Sequence, residues 1–287
     1  MDISRKLVTG IVAGLVLQSS VYLYLDQVLL APTASFEVSA AVGAQANIEG
    51  KAYYSHDLRY MALVKTDSVE MYSMPGSTLV RTVELKGQQL SYFKWLEDRN
   101  LALMGLYNET SSGNSRIVLM QLNPIREGQE LATTINNLPS KSKITDVACS
   151  TATNVIYMQV QVANTPDGYR IYRTDADQDI TRVYTNTNNI GRIGILYDQD
   201  SVVYDNLDDG IIIVRHGDGS WKVISPVVGR YRLIGVSSKN MIYIAKINAE
   251  GLAEAVLQGR LVDKFTQIRP LQQPVDIHSL QIGDIAQ

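Results

Sequence analysis

Tyr54-Ser-His-Asp-Leu-Arg-Tyr-Met-Ala-Leu63 is the stretch that decides the fold. A largely polar turn closes one strand and opens a second, more apolar one. The arrangement returns as Trp95-Leu-Glu-Asp-Arg-Asn-Leu-Ala-Leu-Met104 and as Ala148-Cys-Ser-Thr-Ala-Thr-Asn-Val-Ile-Tyr-Met158. It returns again as Leu196-Tyr-Asp-Gln-Asp-Ser-Val-Val-Tyr204 and Gly235-Val-Ser-Ser-Lys-Asn-Met-Ile-Tyr-Ile244. Counted from Tyr60 through Leu101, Val155, Val202 and Met241, the steps are 41, 54, 47 and 39 residues. Asn, Asp, Ser and Gly suit these turns because they bond their own backbone or tolerate unusual dihedrals.

Most repeats continue with further strand-like runs, at 116–122 and 130–135 in the second and at 210–215 and 221–225 in the fourth. Runs at 60–65, 155–162, 169–173 and 241–247 have the same character, and no amphipathic helical stretch of useful length interrupts them. Four strands every 40–50 residues is the pattern of a β-propeller blade. A single blade cannot bury both its faces, so neighbours must pack face to face in a ring. Inner strands then read as continuous apolar runs, and outer ones as more polar, as at 181–186 and 263–268. The expectation is an all-β propeller of five to six four-stranded blades over residues 36–287. Residues 36–50 and 274–282 would together supply a sixth, incomplete blade that closes the ring and removes its exposed edges. A pair of β-sandwich domains is the alternative.

Before this region, residues 7–25 form a run of 19 without charge, interrupted only by Thr9, Gln18, Ser19 and Ser20. At about 1.5 Å per residue, such a run spans roughly the 30 Å hydrocarbon core of a bilayer. Arg5 and Lys6 precede it and Asp26 closes it, which predicts residues 1–6 in the cytoplasm and residues 26–287 outside, with 26–35 as a linker. Tyr22 and Tyr24 suit the outer interface. A cleaved signal peptide is the competing expectation. Its apolar core would be unusually long, and a cut near Ala34 would place Pro32 three residues before it. Gly10 and Gly14 form a G-x-x-x-G pair that could bring two such helices together.

Composition bounds the partners. The formal net charge is -3 and no basic block exists, so nucleic-acid binding has no electrostatic footprint. The single cysteine, Cys149, excludes an intrachain disulfide framework and a cysteine-based zinc site.

No motif identifies a catalytic, cofactor-binding or metal-binding residue. His56, His216 and His278 are the only histidines and lack ligand spacing; His56 and His216 read as turn residues. Asp175, Asp177 and Asp179 begin like a calcium loop, but Ile180 and Asn186 stand where glycine and glutamate belong. A hairpin turn explains them, and equally explains Asp205-Asn-Leu-Asp-Asp-Gly210, with Gly210 supplying positive φ. No G-x-S-x-G is present. Cys149 reads as a small buried hydrophobe in a strand at 144–149. Asp57, Asp98, Asp146 and Asp198 fall near inner-strand ends and are the candidates for acid chemistry, if folding gathers them.

The segments Ser55-His-Asp-Leu-Arg-Tyr-Met-Ala-Leu-Val64 and Ser68-Val-Glu-Met-Tyr72 resemble the polar turn, apolar strand and following strand of bacterial WD40-like and TolB-like propellers. The resemblance covers residues 50–271. The Gly-His and Trp-Asp dipeptides of WD40 blades are absent, so no functional residue carries over. The ring architecture and the run at 7–25 together lead to the expectation of a membrane-tethered, extracytoplasmic, non-enzymatic binding or scaffold module of the bacterial envelope, presenting one face to a protein, peptide or glycan. An envelope hydrolase or lyase with its site in the central funnel is the alternative.

Overall fold

Each polar turn of the repeat folds the chain back into an antiparallel pair, and two further turns complete a sheet. The computed structural model describes residues 50–111, 113–127, 132–162 and 168–285. The first sheet comprises β1 (Lys51–Tyr54), β2 (Tyr60–Val64), β3 (Ser68–Ser73) and β4 (Thr78–Glu84). The second holds β5 (Gln89–Trp95), β6 (Ala102–Glu109), β7 (Ser115–Leu122) and β8 (Ala132–Leu138). The third holds β9 (Lys143–Ser150), β10 (Val155–Gln161), β11 (Tyr169–Thr174) and β12 (Ile180–Val183). The fourth holds β13 (Ile190–Ile195), β14 (Ser201–Asn206), β15 (Ile211–His216) and β16 (Trp221–Val223). The fifth holds β17 (Arg230–Val236), β18 (Ile242–Ile247), β19 (Ala253–Gly259) and β20 (Thr266–Val275). All pairs are antiparallel and join strands adjacent in sequence.

Five four-stranded sheets replace the β-sandwich alternative. The repeated apolar runs are the second strands, β2, β6, β10, β14 and β18, rather than the innermost ones. Their apolar runs are long because both faces are covered: every residue of β14 is buried, and six of the seven in β10. The first strands of successive sheets pack on one another.

The core is a series of layers between sheets. Met71 and Ala62 of the first sheet meet Phe93, Trp95 and Met104 of the second. Leu103 and Ile117 meet Ile144 and Met158. Tyr157 and Ile171 meet Ile193 and Tyr204. Val203 and Ile212 meet Leu233 and Ile244. Each such side chain, fully buried, is worth about 1.5–3 kcal/mol of transfer free energy. Contact is close enough that a Cβ on Gly194 of β13 would lie 2.7 Å from Val236 of β17.

The far face of the fifth sheet is covered differently. Ile234, Tyr243 and Val256 there pack against Ile277, with Leu280, Ile282 and Ile285 at the margin. Of residues 274–282, expected to help complete a sixth blade, only Pro274 and Val275 are strand, and they belong to the fifth sheet. Val275 ends β20, Ile277–Ser279 form a 3-10 turn and Ile282–Ile285 a single helical turn. Asp276 caps the 3-10 turn by accepting the His278 N–H at 2.7 Å. Proline at 274 lies within the outermost strand, where a missing N–H costs no ladder bond on the open side.

The expected span at 7–25, the Gly10–Gly14 pair and residues 36–49 of the sixth blade lie outside the described residues. Among the described residues, no helix is long and apolar enough to cross a membrane.

One carboxylate is wholly enclosed. Asp205 of β14 has no exposed surface. It accepts Nε of Arg232 at 3.1 Å, the Leu233 N–H, and the Arg192 N–H at 3.3 Å. It thus joins the fourth sheet to the fifth and is a strand residue, not part of a turn. Gly210 does supply positive φ, at 68°, in the turn that follows. Burial pushes the Asp205 carboxyl up to about 6, against the pull of Arg232.

Two outcomes follow from these positions. Asp205→Ala leaves Arg232 and two N–H groups unpaired and lowers the unfolding free energy by about 3–5 kcal/mol in urea titrations. Because the folded state holds the Asp205 proton more tightly than the unfolded chain, ionisation opposes folding. Stability present below the ordinary aspartate value of about 3.9 is withdrawn as pH rises through the folded value. Wild type therefore loses urea midpoint relative to Asp205→Asn between about pH 4 and 7; parallel profiles would refute this. Separately, Asn154 and Asn240 hold left-handed backbone at φ 54° and 59° before their second strands, while Leu58 does so at 58°. Asparagine tolerates that region and leucine does not, so Leu58→Asn raises stability by about 0.5–1 kcal/mol.

Candidate functional site

The first strands β5, β9, β13 and β17 share an irregularity. The register slips between Leu90 and Tyr92, opposite Gln159/Val160 at Thr145, between Ile190 and Ile193, and between Leu233 and Gly235. Each slip is a bulge, which leaves backbone groups out of the ladder and re-aims side chains. Glycines at 191 and 235 accompany two of them, and a glycine inside a strand pattern is the sequence signal for such a site.

These strands surround a cavity of about 710 Å³, whose polar lining includes Lys94, Asp98, Asp146, Arg192 and His278. Arg192 stands in the β13 bulge. Its Nη1 donates to the Ile234 carbonyl at 3.1 Å and the Leu280 carbonyl at 3.0 Å, and its Nη2 to the Ile277 carbonyl at 3.0 Å. The Ile234 carbonyl is available because the β17 bulge withdraws it from the ladder. Asp146 accepts the Val147 N–H at 2.8 Å and the Ile193 N–H at 3.4 Å. Burial pushes its carboxyl up, and those two N–H bonds do not reverse the shift. Cys149 also lines the cavity, half-buried, and burial raises its thiol to about 11, so it is no thiolate at neutral pH.

The turns between first and second strands gather on one rim and bond across sheets. Asn100 Nδ2 donates to Asp57 at 2.8 Å. Thr151 Oγ1 and, at 3.2 Å, Tyr197 OH donate to Asp98. Ser150 Oγ donates to the Tyr197 carbonyl, and the Tyr197 N–H donates to Asn240 Oδ1. One chain of bonds thus runs from the first sheet to the fifth. The Asn100 hydrogen bond leads the forces that hold Asp57 down at about 2. Burial opposes ionisation of Asp98, but Thr151 and Arg99 outweigh it and keep its carboxyl below the usual range.

Of the four candidate acids, Asp98 and Asp146 line the cavity, while Asp57 serves the rim and Asp198 is exposed in its turn. The three histidines are not gathered. His56 lies in the first turn, His216 bonds Ser201 through Nδ1 at 2.7 Å, and His278 lines the cavity. Asp175, Asp177 and Asp179 sit in the turn between β11 and β12, where Asp175 takes Arg173 Nη1 at 2.8 Å and the Asp177 N–H at 3.2 Å. Among the described residues, no group of three or more His, Cys, Asp or Glu side chains could hold a metal ion.

No protein-family model and no curated protein matches the chain. Solved structures do. A luciferin-regenerating enzyme aligns over 79% of this chain and 78% of its own at 9% identity and a TM-score of 0.47. The WD40 repeats of RRP9 align over 78% and 64% at 12% identity and 0.48. Dipeptidyl peptidase 4 of Porphyromonas gingivalis aligns over 78% of this chain at 11% identity and 0.50, and the match spans 39% of the peptidase. With the five four-stranded sheets, the last likeness shows a β-propeller architecture and nothing beyond the fold.

The rim chain of bonds has a measurable worth. Tyr197→Phe removes the hydroxyl that meets Thr151 and Asp98, and costs about 1 kcal/mol in urea unfolding. A loss within error would show that the rim bonds do not support the array.

Proposed function

We propose that this protein is a non-enzymatic binding or scaffold module of the bacterial cell envelope, tethered to the membrane by residues 7–25 with its propeller outside. One observation carries the binding reading. Tyr54, Leu58, Leu79, Ile125, Trp221 and Val262 are exposed apolar residues. All six lie in, or next to, turns joining first to second or third to fourth strands. In an antiparallel meander those turns share one edge of each sheet, so the six belong to a single rim. Isolated exposed apolar residues are ordinary, but apolar residues gathered on one face favour a partner. Tyr184, Val223, Val227 and Val228 lie in or beside connections on the opposite rim and are not part of it.

The cavity's ionic groups favour this reading over an envelope hydrolase or lyase. Asp98 is committed to Thr151, Tyr197 and Arg99, and Arg192 to three carbonyls. A partner of the rim would be a protein, a peptide or a glycan. The tether reading rests on the uncharged 19-residue run and the basic residues before it. Gly10 and Gly14 would allow two anchors to pair.

The test uses the full chain with a C-terminal tag. The protein is expected in the carbonate-resistant membrane fraction, with its propeller digested by protease added to spheroplasts. Recovery in the soluble fraction would remove the tether. Detergent extracts should yield a stoichiometric partner that is lost, by at least about tenfold, from a folded Leu58→Asp/Val262→Asp variant. Capture that is absent, or unchanged in the variant, would remove the rim as the binding face.

A further inference from the structure

Residues 276–285 touch the propeller in a particular way. On one side Ile277 is buried against Ile234 and Tyr243, with Leu280, Ile282 and Ile285 partly buried beside it. On the other, the Ile277 and Leu280 carbonyls are held by the single guanidinium of Arg192. The segment is therefore bound by main-chain carbonyls three residues apart and by branched aliphatic side chains. Any peptide of that pattern carries the same groups.

The receiving surface is built independently of the segment. The β13 bulge aims Arg192 toward it, and the Ile234 carbonyl of β17 fixes the guanidinium. Burial strips water from this cation and lowers its pKa, which strengthens its attraction for carbonyl oxygens. Gly235 makes room for the segment, since a Cβ there would lie 2.5 Å from Ile282 Cδ1. The segment itself is lightly held, because among its described side chains Ile277 alone is fully buried. Beyond it the cavity continues, bordered by His278 and Gln281 on the segment side and by Asp146 and Cys149 on the other.

We propose that the groove formed by Arg192, Ile234 and Gly235 is a peptide-binding site, and that residues 276–285 occupy it as an internal ligand. A partner would present an aliphatic-rich segment with two carbonyls three residues apart and displace them. This rests on the binding-module reading and names the partner's chemistry at a second place, distinct from the rim. Displacement would weaken the apparent affinity of any external peptide by the fraction of molecules whose groove is free.

Two properties of the chain make the test direct. Cys149 is the only cysteine, and it lines the cavity. In the full chain, Leu280→Ser/Ile282→Ser loosens the segment and leaves the groove intact. A fluorescent peptide with the sequence of residues 275–285 is expected to bind this variant at least about tenfold more tightly than wild type. Maleimide labelling of Cys149 should accelerate about tenfold in the variant and slow again with peptide. Adding Arg192→Ala should abolish peptide binding. Absence of binding by the loosened variant, with wild-type circular dichroism and a wild-type labelling rate, would overturn the proposal, as would binding that survives loss of Arg192. Should the variant misfold, hydrogen exchange on wild type decides: amides of residues 277–285 must exchange at least about a hundredfold faster than those of β18, and equal protection refutes exchangeability. Failure here with successful rim-dependent capture would remove the groove and keep the scaffold; the reverse would remove the rim alone.

Discussion

The whole array answers to one constraint, that a four-stranded sheet made of Val, Ile, Leu, Tyr and Met is apolar on both faces. Neither face can be left to water. Four of the five sheets meet this by pressing against the next, and the layers Met71–Phe93, Ile144–Leu103, Ile193–Tyr157 and Leu233–Val203 are the result. The fifth has its outward face covered by aliphatic residues of a non-strand segment. Interiors packed to crystal-like density transmit small changes, which is why glycine at 194 is needed where Val236 approaches.

Two charged groups that enter this apolar stack are each engaged by three partners. Asp205 is tolerated because a guanidinium and two N–H groups converge on it. Arg192 solves the opposite problem, a half-buried cation, with neutral carbonyls instead of a carboxylate. That choice ties three pieces of chain with one side chain. It also leaves Asp146 across the cavity bonded to backbone N–H groups.

Much of the architecture was legible. The second strands announced themselves because burial on both faces demands unbroken apolar runs, and Asn154 and Asn240 marked the turns because their left-handed backbone favours asparagine. Those runs prove to be the second strands of their sheets, a rank that sequence does not record, since it shows how many faces are covered and not the order within the sheet. Residues 274–282 were expected to help close the ring as part of a sixth blade, yet beyond Val275 a capped 3-10 turn at Asp276 wins locally. The role of Asp205 was hidden by its neighbours: residues 207–210 do form a turn, which Asn206 caps, and Asp205 sits just inside the strand before it. The cavity was hidden more deeply. Arg192 carries no motif, and its direction comes from a bulge for which Gly191 was the only written sign.

The rim chain of bonds divides the surface into two regimes of tolerance. Turns joining first to second strands are pinned to their neighbours through Asp57, Asn100, Asp98, Thr151, Tyr197 and Asn240. An added residue in any of them would shift a donor or acceptor that the adjacent sheet needs. On the opposite edge the second-to-third turns differ among themselves. The β14–β15 turn is pinned as well, since Asp208 accepts from Thr187 and Asn189 and Arg230 donates to the Leu207 and Asp208 carbonyls. The turn at Asn248 between β18 and β19 closes on itself, because Asn248 accepts the N–H groups of Glu250 and Leu252. Grafted sequence in the laboratory should therefore be tolerated at that turn, where lengthening displaces no partner of another sheet.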